Sequence, residues 1–289
     1  MTGEKDVLLA APRAALARVR RDPDDWDGEY DYGLLLAMYF DGVDLPLARR
    51  MLAAAVRYHR DHVPPGISPE LVRAGLLVAC HGDAADVWLH WTAYALSFDP
   101  GYRPLLAVAG LRRTRDLVRE STHPDRGRVA VELAGLRARE VTAWLDEQRE
   151  RFPSDPAAES LFGWSTHARE LGRPDLSREL LLAWARERPH DPATFAAVRS
   201  RLGRLGFAAE AVEAQREAVA ITTGRERLGH ELVTLASVCR EAGDLAGARQ
   251  ALEECAALAP PLGGLATSLR REARELDALR PGTPSGTGP

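Results

Sequence analysis

The sequence predicts an all-α protein built as a stack of antiparallel helical hairpins. Alanine, leucine, arginine and glutamate, which favour helices, dominate the composition, and the alternating Val, Ile, Thr and Tyr runs typical of strands do not occur. Apolar residues instead recur at intervals of three and four, which is the spacing of one helix face. Glycines that can end a helix recur at Gly172, Gly206 and Gly243, which are 34 and 37 residues apart.

The composition is typical of a soluble globular protein in a reducing compartment. Of the 289 residues 45% are hydrophobic, and a net charge of −4 gives no general attraction to nucleic acid or membranes. The three cysteines, Cys80, Cys239 and Cys255, have no paired spacing that suggests disulfides. No apolar run approaches the roughly 18 residues of a membrane helix, and the N-terminus is too charged for a signal peptide. We therefore expect a cytoplasmic protein.

Residues 1–152 predict an irregular region of divergent helical hairpins. Aspartate, serine and proline at helix starts and glycine at turns divide it into segments. The predicted helices are 4–21 (one helix, or a pair broken at Pro12), Trp26–Phe40, Leu45–His62, Pro69–Cys80, Ala84–Phe98, Arg103–Glu120 and Arg126–Arg151. Gly127 and Gly135 weaken the last of these helices without fixing a turn inside it.

Residues 153–261 predict three regular hairpins. Pro153–Pro156 and Pro189–Pro192 share one order: a proline that ends a helix, an aspartate that caps the next helix, and a proline that begins it. Five residues after each turn glycine stands a small residue, which lets two helices approach closely: Ser177, Ala211 and Ala248. A small residue is also expected at the matching position of each first helix, which holds Ser165, Arg199 and Ala236. Arg199 departs from this pattern.

The last hairpin carries the pattern most completely. Its first helix, from about His230 to Ala242, precedes Gly243, and its second helix places Ala248 at the close contact and ends at Pro260. This arrangement resembles the tetratricopeptide repeat, a helical hairpin of about 34 residues. The resemblance implies an α-solenoid that winds as a right-handed superhelix. A helix within 262–280 would cap its open end, and residues 281–289, rich in Pro, Gly, Ser and Thr, are predicted to be disordered.

By the same resemblance, the first helix of each hairpin lines a concave groove that binds a partner protein or peptide. The groove positions are then Glu159, Phe162, Thr166 and Arg169, then Ala193, Ala196, Ser200 and Gly203, and then His230, Val233, Ser237 and Arg240. The candidate contact residues among them are Phe162, Thr166, Arg169, Ser200, His230, Ser237 and Arg240. Arg169 and Arg240 are equivalent, and guanidinium groups suit carboxylates, so one hypothesis is a groove for an acidic segment. The alternative is a solvated helix face with local pairs such as Arg240 with Asp244. The chain has no asparagine, which chaperone-binding members of the family use to hold a terminal carboxylate, so co-chaperone function is disfavoured.

Two further surfaces are candidates in the first half of the chain. Trp88 and Trp91 lie among the six tyrosines, which all fall between Tyr30 and Tyr102; this aromatic group is either an interface or pocket, or core packing. Between Arg103 and Arg139, nine arginines face four acidic residues, a net charge of +5 that suits an anionic partner. Stacking aromatics and a recognised motif are both absent there, which disfavours nucleic acid.

Metal and catalytic signals are weak. His59 and His62, three residues apart, and Asp86 and His90, four apart, can each bring two ligands onto one helix face, but neither pair has a clear third ligand. Ser165 begins a sequence like a nucleophile elbow, without the final glycine or the preceding strand, and is interpreted as a small helix-contact residue. The sequence predicts no catalytic residue, no metal and no cofactor.

These observations favour a scaffold or adaptor that binds another protein through a preformed concave surface. The first alternative is a regulatory or biosynthetic protein with a small-molecule pocket or active site in the aromatic-rich N-terminal half. The second is self-association through the ends of the solenoid. The sequence identifies neither the partner nor the pathway.

Overall fold

A computed structural model describes residues 2–63, 66, 68–96, 98–258 and 264–279. Over these residues the protein is all-α, with fifteen α-helices, three short 3₁₀ turns and no strand. None of the described helices combines the length and the hydropathy that crossing a lipid bilayer requires. The chain divides into two compact units, Met1–Glu159 and Ser160–Pro289.

The first unit contains eight helices. They are α1 (Thr2–Arg21), α2 (Tyr32–Asp41), α3 (Leu45–His62), α4 (Pro69–Ala79), α5 (Val87–Tyr94), α6 (Leu111–Glu120), α7 (Arg126–Ala134) and α8 (Ala138–Arg151). The side chains of Asp31, Asp44 and Ser68 accept hydrogen bonds from backbone N–H groups three residues on, at 2.9, 3.0 and 3.1 Å. These N-caps satisfy helix N–H groups that have no partner within the helix, and so fix the starts of α2, α3 and α4.

One continuous core holds the first unit together, with buried side chains from all eight helices. Tyr102, in the connection between α5 and α6, is fully buried in it. Tyr102 lies directly over Gly75 of α4, where an added Cβ atom would be 2.7 Å from the tyrosine Oη and 2.8 Å from Leu105 Cδ1. A glycine at position 75 therefore lets the α5–α6 connection pack against the backbone of α4.

Two of the helices predicted in this unit are shorter than expected. The predicted helix Trp26–Phe40 begins only at Tyr32, because Gly28 has φ +83° and the Trp26 indole donates to the Glu29 carbonyl at 2.8 Å, which holds a turn there. The predicted helix Ala84–Phe98 is a 3₁₀ turn followed by α5. At its end Phe98 has φ +51°, in the left-handed region.

Two longer predicted helices are each interrupted. The predicted helix Arg103–Glu120 is a 3₁₀ turn at Arg103–Ala107, a break at Gly110 with φ +102°, and α6. The predicted helix Arg126–Arg151 is the pair α7 and α8, because Arg115 of α6 donates to the carbonyl groups of Leu133 at 2.6 Å and Leu136 at 3.0 Å. Leu133 lies in the last turn of α7 and Leu136 in the connection to α8, so these bonds hold the chain where α7 ends. In contrast, α1 continues through Pro12 as one helix.

The second unit contains three helix pairs and a final helix. They are α9 (Leu161–Glu170) with α10 (Pro174–Arg186), α11 (Pro192–Leu205) with α12 (Ala208–Ile221), α13 (Arg225–Glu241) with α14 (Leu245–Ala257), and α15 (Gly264–Ala278). Helix α13 begins five residues before the predicted start at His230, after Gly224 with φ +92°. Pro260 and the tail 281–289, predicted to end a helix and to be disordered, lie outside the described residues.

Contacts within the first pair show that its helices are antiparallel. Near one end, the rings of Phe162 and Trp184 are 4.9 Å apart. Nearer the turn, Ser165 Oγ donates to the Ser177 carbonyl at 2.8 Å and Ser177 Oγ donates to the Ser165 carbonyl at 2.7 Å. Gly172 reverses the chain between the helices with φ +70°, a conformation that suits glycine. Both serines are fully buried, so their size sets the distance between the helices.

Helix α15 runs parallel to α13. At the start of the two helices, Leu265 covers Gly229 so closely that an added Cβ would be 2.6 Å from Leu265 Cδ2. Near their ends, Arg240 Nε donates to Glu272 Oε1 at 2.5 Å, across a sequence separation of 32. Helix α15 therefore takes the place beside α13 that the first helix of another pair would take.

Candidate binding groove of the second unit

A groove of about 550 Å³ lies between α11, α13 and α15. Helix α13 forms its centre, while α11 and α15 stand on its two sides. The lining side chains from α11 are Arg199, Ser200 and Arg204, with Gly203; from α12, Ala211; from α13, His230, Val233, Thr234, Ser237, Val238 and Glu241; and from α15, Ser268, Arg271 and Glu272. The groove is thus mostly polar, with a small apolar area.

The helical period explains why α13 presents this face. Leu232, Leu235, Ala236 and Cys239 are buried against α14 and the neighbouring helices. Residues one position away from that stripe, such as Ser237, point to the groove. The hydroxyl of Thr234 donates to the His230 carbonyl at 2.8 Å, and Ser237 Oγ donates to Glu241 at 3.3 Å.

The structure brings together three of the predicted contact residues. Ser200, His230 and Ser237 all line the groove. Arg240 and the three predicted positions of the first pair, Phe162, Thr166 and Arg169, are not among its lining residues. Arg201 of α11 covers the Phe162 ring at 4.7 Å from the ring centroid and donates to Thr166 Oγ1 at 2.9 Å.

The two arginines from which the acidic-segment hypothesis started are already paired. Arg169 forms an ion pair with its neighbour Glu170. Arg240 forms ion pairs with Glu272 at 2.5 Å and Glu275 at 2.7 Å, and the hydrogen bond that Arg240 donates to Glu272 raises the pKa of Arg240. Each guanidinium is therefore engaged within the second unit.

The predicted local pair of Arg240 with Asp244 is wrong. Asp244 instead caps α14, accepting from the Gly247 N–H at 2.9 Å, and forms an ion pair with Arg216 at 3.2 Å. The acidic partners of Arg240 come from α15, whose position beside α13 the local spacing does not reveal.

Arg199, Arg204 and Arg271 are groove residues that the sequence-based choice missed. Among the described residues, no carboxylate lies within ion-pair distance of any of the three guanidinium groups. Arg199 is half-buried, and its Nε is buried without a hydrogen-bond partner. A signal for Arg199 was present in the sequence, since it replaces the small residue that the other two pairs have there.

The aromatic candidates of the first unit are packed side chains. Trp91 is 4% exposed and lies in the core, with the Arg128 guanidinium 5.5 Å from its ring centroid. Trp88 is half-buried and stacks on the His123 ring with centroids 4.1 Å apart. Packing within the unit therefore accounts for both indole rings.

The candidate metal ligands have other partners or surroundings. His59 is buried, and burial lowers its pKa, whereas the exposed His62 stacks on Tyr58 at 4.8 Å. Asp86 accepts from Arg49 at 2.5 Å. Within the described residues, no group of three or more His, Cys, Asp or Glu side chains could hold a metal ion.

Among the histidines of the candidate metal pairs, His90 has the pKa that is shifted furthest from its ordinary value. It is 1% exposed, its Nδ1 is 3.2 Å from Tyr102 Oη, and burial lowers its pKa to about 3. The same burial raises the pKa of Tyr102. The two groups are thus held neutral at physiological pH and hydrogen-bonded inside the core.

Comparison with known proteins gives no match: no protein family model, no curated protein and no solved structure is significantly similar to this chain.

Proposed function

We propose that the protein is a scaffold or adaptor whose second unit is a tetratricopeptide-like α-solenoid, wound as a right-handed superhelix, and that its groove binds a segment of a partner protein. The observation that carries this proposal is the groove itself. Its walls and centre are first helices of successive pairs together with α15, and Ser200, His230 and Ser237 lie in it.

The contacts between helices support a repeating arrangement. Arg201 bonds Thr166 across 35 residues, Arg178 bonds Glu210 across 32, and Arg240 bonds Glu272 across 32. Each bond joins equivalent helices of successive helix pairs, with α15 in the place of a further first helix, at close to one repeat period. This is expected for a stack in which each hairpin contacts its neighbours. The parallel placement of α15 beside α13 extends the same relation.

The groove suits a short extended segment. Ser200 and Gly203 have small side chains, which leave room along α11, and Ser237 and Thr234 offer hydroxyl groups near its centre. Both hydroxyls donate within α13, and their oxygens can still accept from backbone N–H groups of a bound peptide. A groove that is already formed avoids the cost of ordering the binding surface. We place this activity in the cytoplasm, where the free thiols of Cys80, Cys239 and Cys255 would stay reduced.

A groove-blocking variant tests the proposal. Affinity capture of the full chain from its native cell extract, quantified by mass spectrometry, should yield at least one stoichiometric protein partner that Ser237→Trp loses. Ala256→Trp is the matched control, because Ala256 is exposed on α14 outside the groove. Thermal unfolding should show that both variants are folded. If no captured protein depends on the groove, the proposal fails.

A further inference from the structure

We infer that the segment held by the groove is acidic, and that Arg199 is its principal contact. This inference rests on the proposed function and adds to it the chemistry of the partner. It concerns Arg199 and Arg204 on α11 and Arg271 on α15, which stand on the two sides of the groove.

The charges that line the groove are unbalanced. The acidic lining residues are Glu241 and Glu272. Glu272 shares Arg240 with Glu275, so Arg240 offsets only one of these two negative charges. Three arginines without an ion-pair partner among the described residues therefore face two lining carboxylates, and an anionic segment would complement the excess positive charge.

Arg199 differs from the other two arginines because it is partly withdrawn from solvent. Arg204 and Arg271 are exposed, whereas Arg199 is half-buried and its buried Nε has no hydrogen-bond partner. Buried donors are almost always paired in folded proteins. That Nε is closed to the groove, so an acidic side chain in the groove would bind Arg199 through its two Nη groups, since a guanidinium can bind a carboxylate through two parallel N–H bonds.

The rest of the lining restricts what accompanies the acidic side chain. Ala211, Val233 and Val238 give the groove a small apolar area next to the arginines. Among the described residues that line the groove, His230 carries the single aromatic ring, so this lining offers little of the stacking that single-stranded nucleic acids use. The occupant we infer is a peptide segment in which aspartate or glutamate residues flank an apolar residue.

The test is selection of peptides from a random nine-residue display library on the full chain. We expect the selected peptides to be enriched in aspartate and glutamate. A selected peptide, synthesised with a fluorescent label, should bind about tenfold more weakly to Arg199→Ala, the effect expected from loss of one charged hydrogen-bonding group. Arg204→Ala and Arg271→Ala should each weaken binding by about threefold, because exposed charges contribute less.

Matched controls separate the groove from overall charge. Arg186→Ala and Arg270→Ala each remove one positive charge from exposed helix positions outside the groove, and both should change affinity less than twofold. Arg199→Lys keeps the charge but removes the planar fork, so it should recover only part of the loss. Thermal unfolding checks each fold, and for the unchanged protein the affinity should fall between 50 and 500 mM salt, as screening requires.

The outcomes distinguish this inference from the proposed function. Selected peptides that lack acidic residues, yet lose binding with Ser237→Trp, would overturn the acidic partner and leave the groove as a binding site. Peptides whose binding is indifferent to Ser237→Trp, or the absence of any selected peptide, would count against both. If Arg199→Ala and Arg186→Ala weakened peptide binding equally, the loss of affinity would follow from net charge alone, and the role of Arg199 would be refuted.

Discussion

In the first unit, side chains from eight helices converge on one core, which also encloses polar groups such as Arg73, Asp86 and His90. In the second unit, several smaller clusters each join one helix pair to its neighbours. The two units also differ in how far apart in sequence their hydrogen-bonded residues lie. Tyr39 donates to the Phe152 carbonyl across 113 residues, whereas Ser165 bonds Ser177 across 12.

The two units should differ in how much stability they lose when one residue is substituted. A core that depends on partners far apart in sequence loses stability sharply when one buried polar partner is removed, because the other is left unpaired. A stack of local pairs distributes its stability over many similar contacts between neighbours. Substitutions of the same type should therefore have larger effects in the first unit than in the second.

The largest expected contrast is between two ion pairs. Arg73 and Glu159 are each 5% exposed, with Nη2 and Oε2 3.5 Å apart, while Arg178 and Glu210 are 35% and 37% exposed. Glu159→Ala should lower the free energy of unfolding by about 3–5 kcal/mol, because it leaves a buried guanidinium unpaired. Glu210→Ala should lower it by less than about 1 kcal/mol. Urea unfolding followed by circular dichroism measures both, and equal effects would contradict the contrast.

The second prediction concerns how the stability of the first unit depends on pH. The pKa of buried His90 is lowered to about 3, below its value in the unfolded chain, so acid favours the unfolded state. The stability that neutral His90 contributes is complete above about pH 6.5 and is lost as the pH falls towards 3. The loss approaches about 1 kcal/mol per pH unit for one proton.

His90→Leu tests this contribution through the slope of unfolding free energy against pH, between pH 6 and 4. The substitution should remove up to one proton from the slope, whatever its effect on absolute stability. Identical slopes in the unchanged protein and His90→Leu would show that His90 is not held neutral.

The third prediction concerns the close contact between α9 and α10. Ser177→Leu should lower the free energy of unfolding by about 1–3 kcal/mol, because a larger side chain cannot fit between fully buried serines without moving the helices. Ser177→Ala keeps the spacing and loses only hydrogen bonding, about 1 kcal/mol. A leucine variant as stable as the alanine variant would mean that residue size does not set this contact.

The smallest expected effects on stability are those of two glycine substitutions, one inside α11 and one in the turn after it, and they should have opposite signs. Gly206 has φ +85°, so Gly206→Ala should destabilise by roughly 1–2 kcal/mol. Gly203 lies inside the helix with open space where a Cβ would stand, so Gly203→Ala should stabilise by roughly 0.5–1 kcal/mol. Thermal unfolding of the pair is the measurement, and shifts of the same sign would contradict the assignment.

The helix pairs of the second unit could be predicted from sequence, because the turn and the close contact of each pair follow a local pattern. The turn glycines have the expected left-handed conformation, and Ala211 and Ala248 are buried at the close contacts. The groove face of α13 follows from the same period. Contacts that do not recur at a fixed interval in the sequence could not be predicted. The bonds from Arg115 to the connection between α7 and α8 are an example.

For the groove, the sequence predicted a capping helix within 262–280 but not that this helix would line the site. The spacing of the sequence does not align Ser268, Arg271 and Glu272 of α15 with α13. The partners of Arg240 were missed for the same reason. Arg199, in contrast, was visible as a departure from the pattern, although its meaning required knowing what surrounds it.

The unpaired Nε of Arg199 has a consequence for selection among sequences. An orphaned buried donor destabilises a fold by about 1–3 kcal/mol, so serine or alanine at position 199, as at 165 and 236, should give a more stable second unit. A library randomised at this position and sorted for thermal resistance should return small residues. The same library sorted for peptide capture should keep arginine. The two selections would therefore favour different residues at position 199.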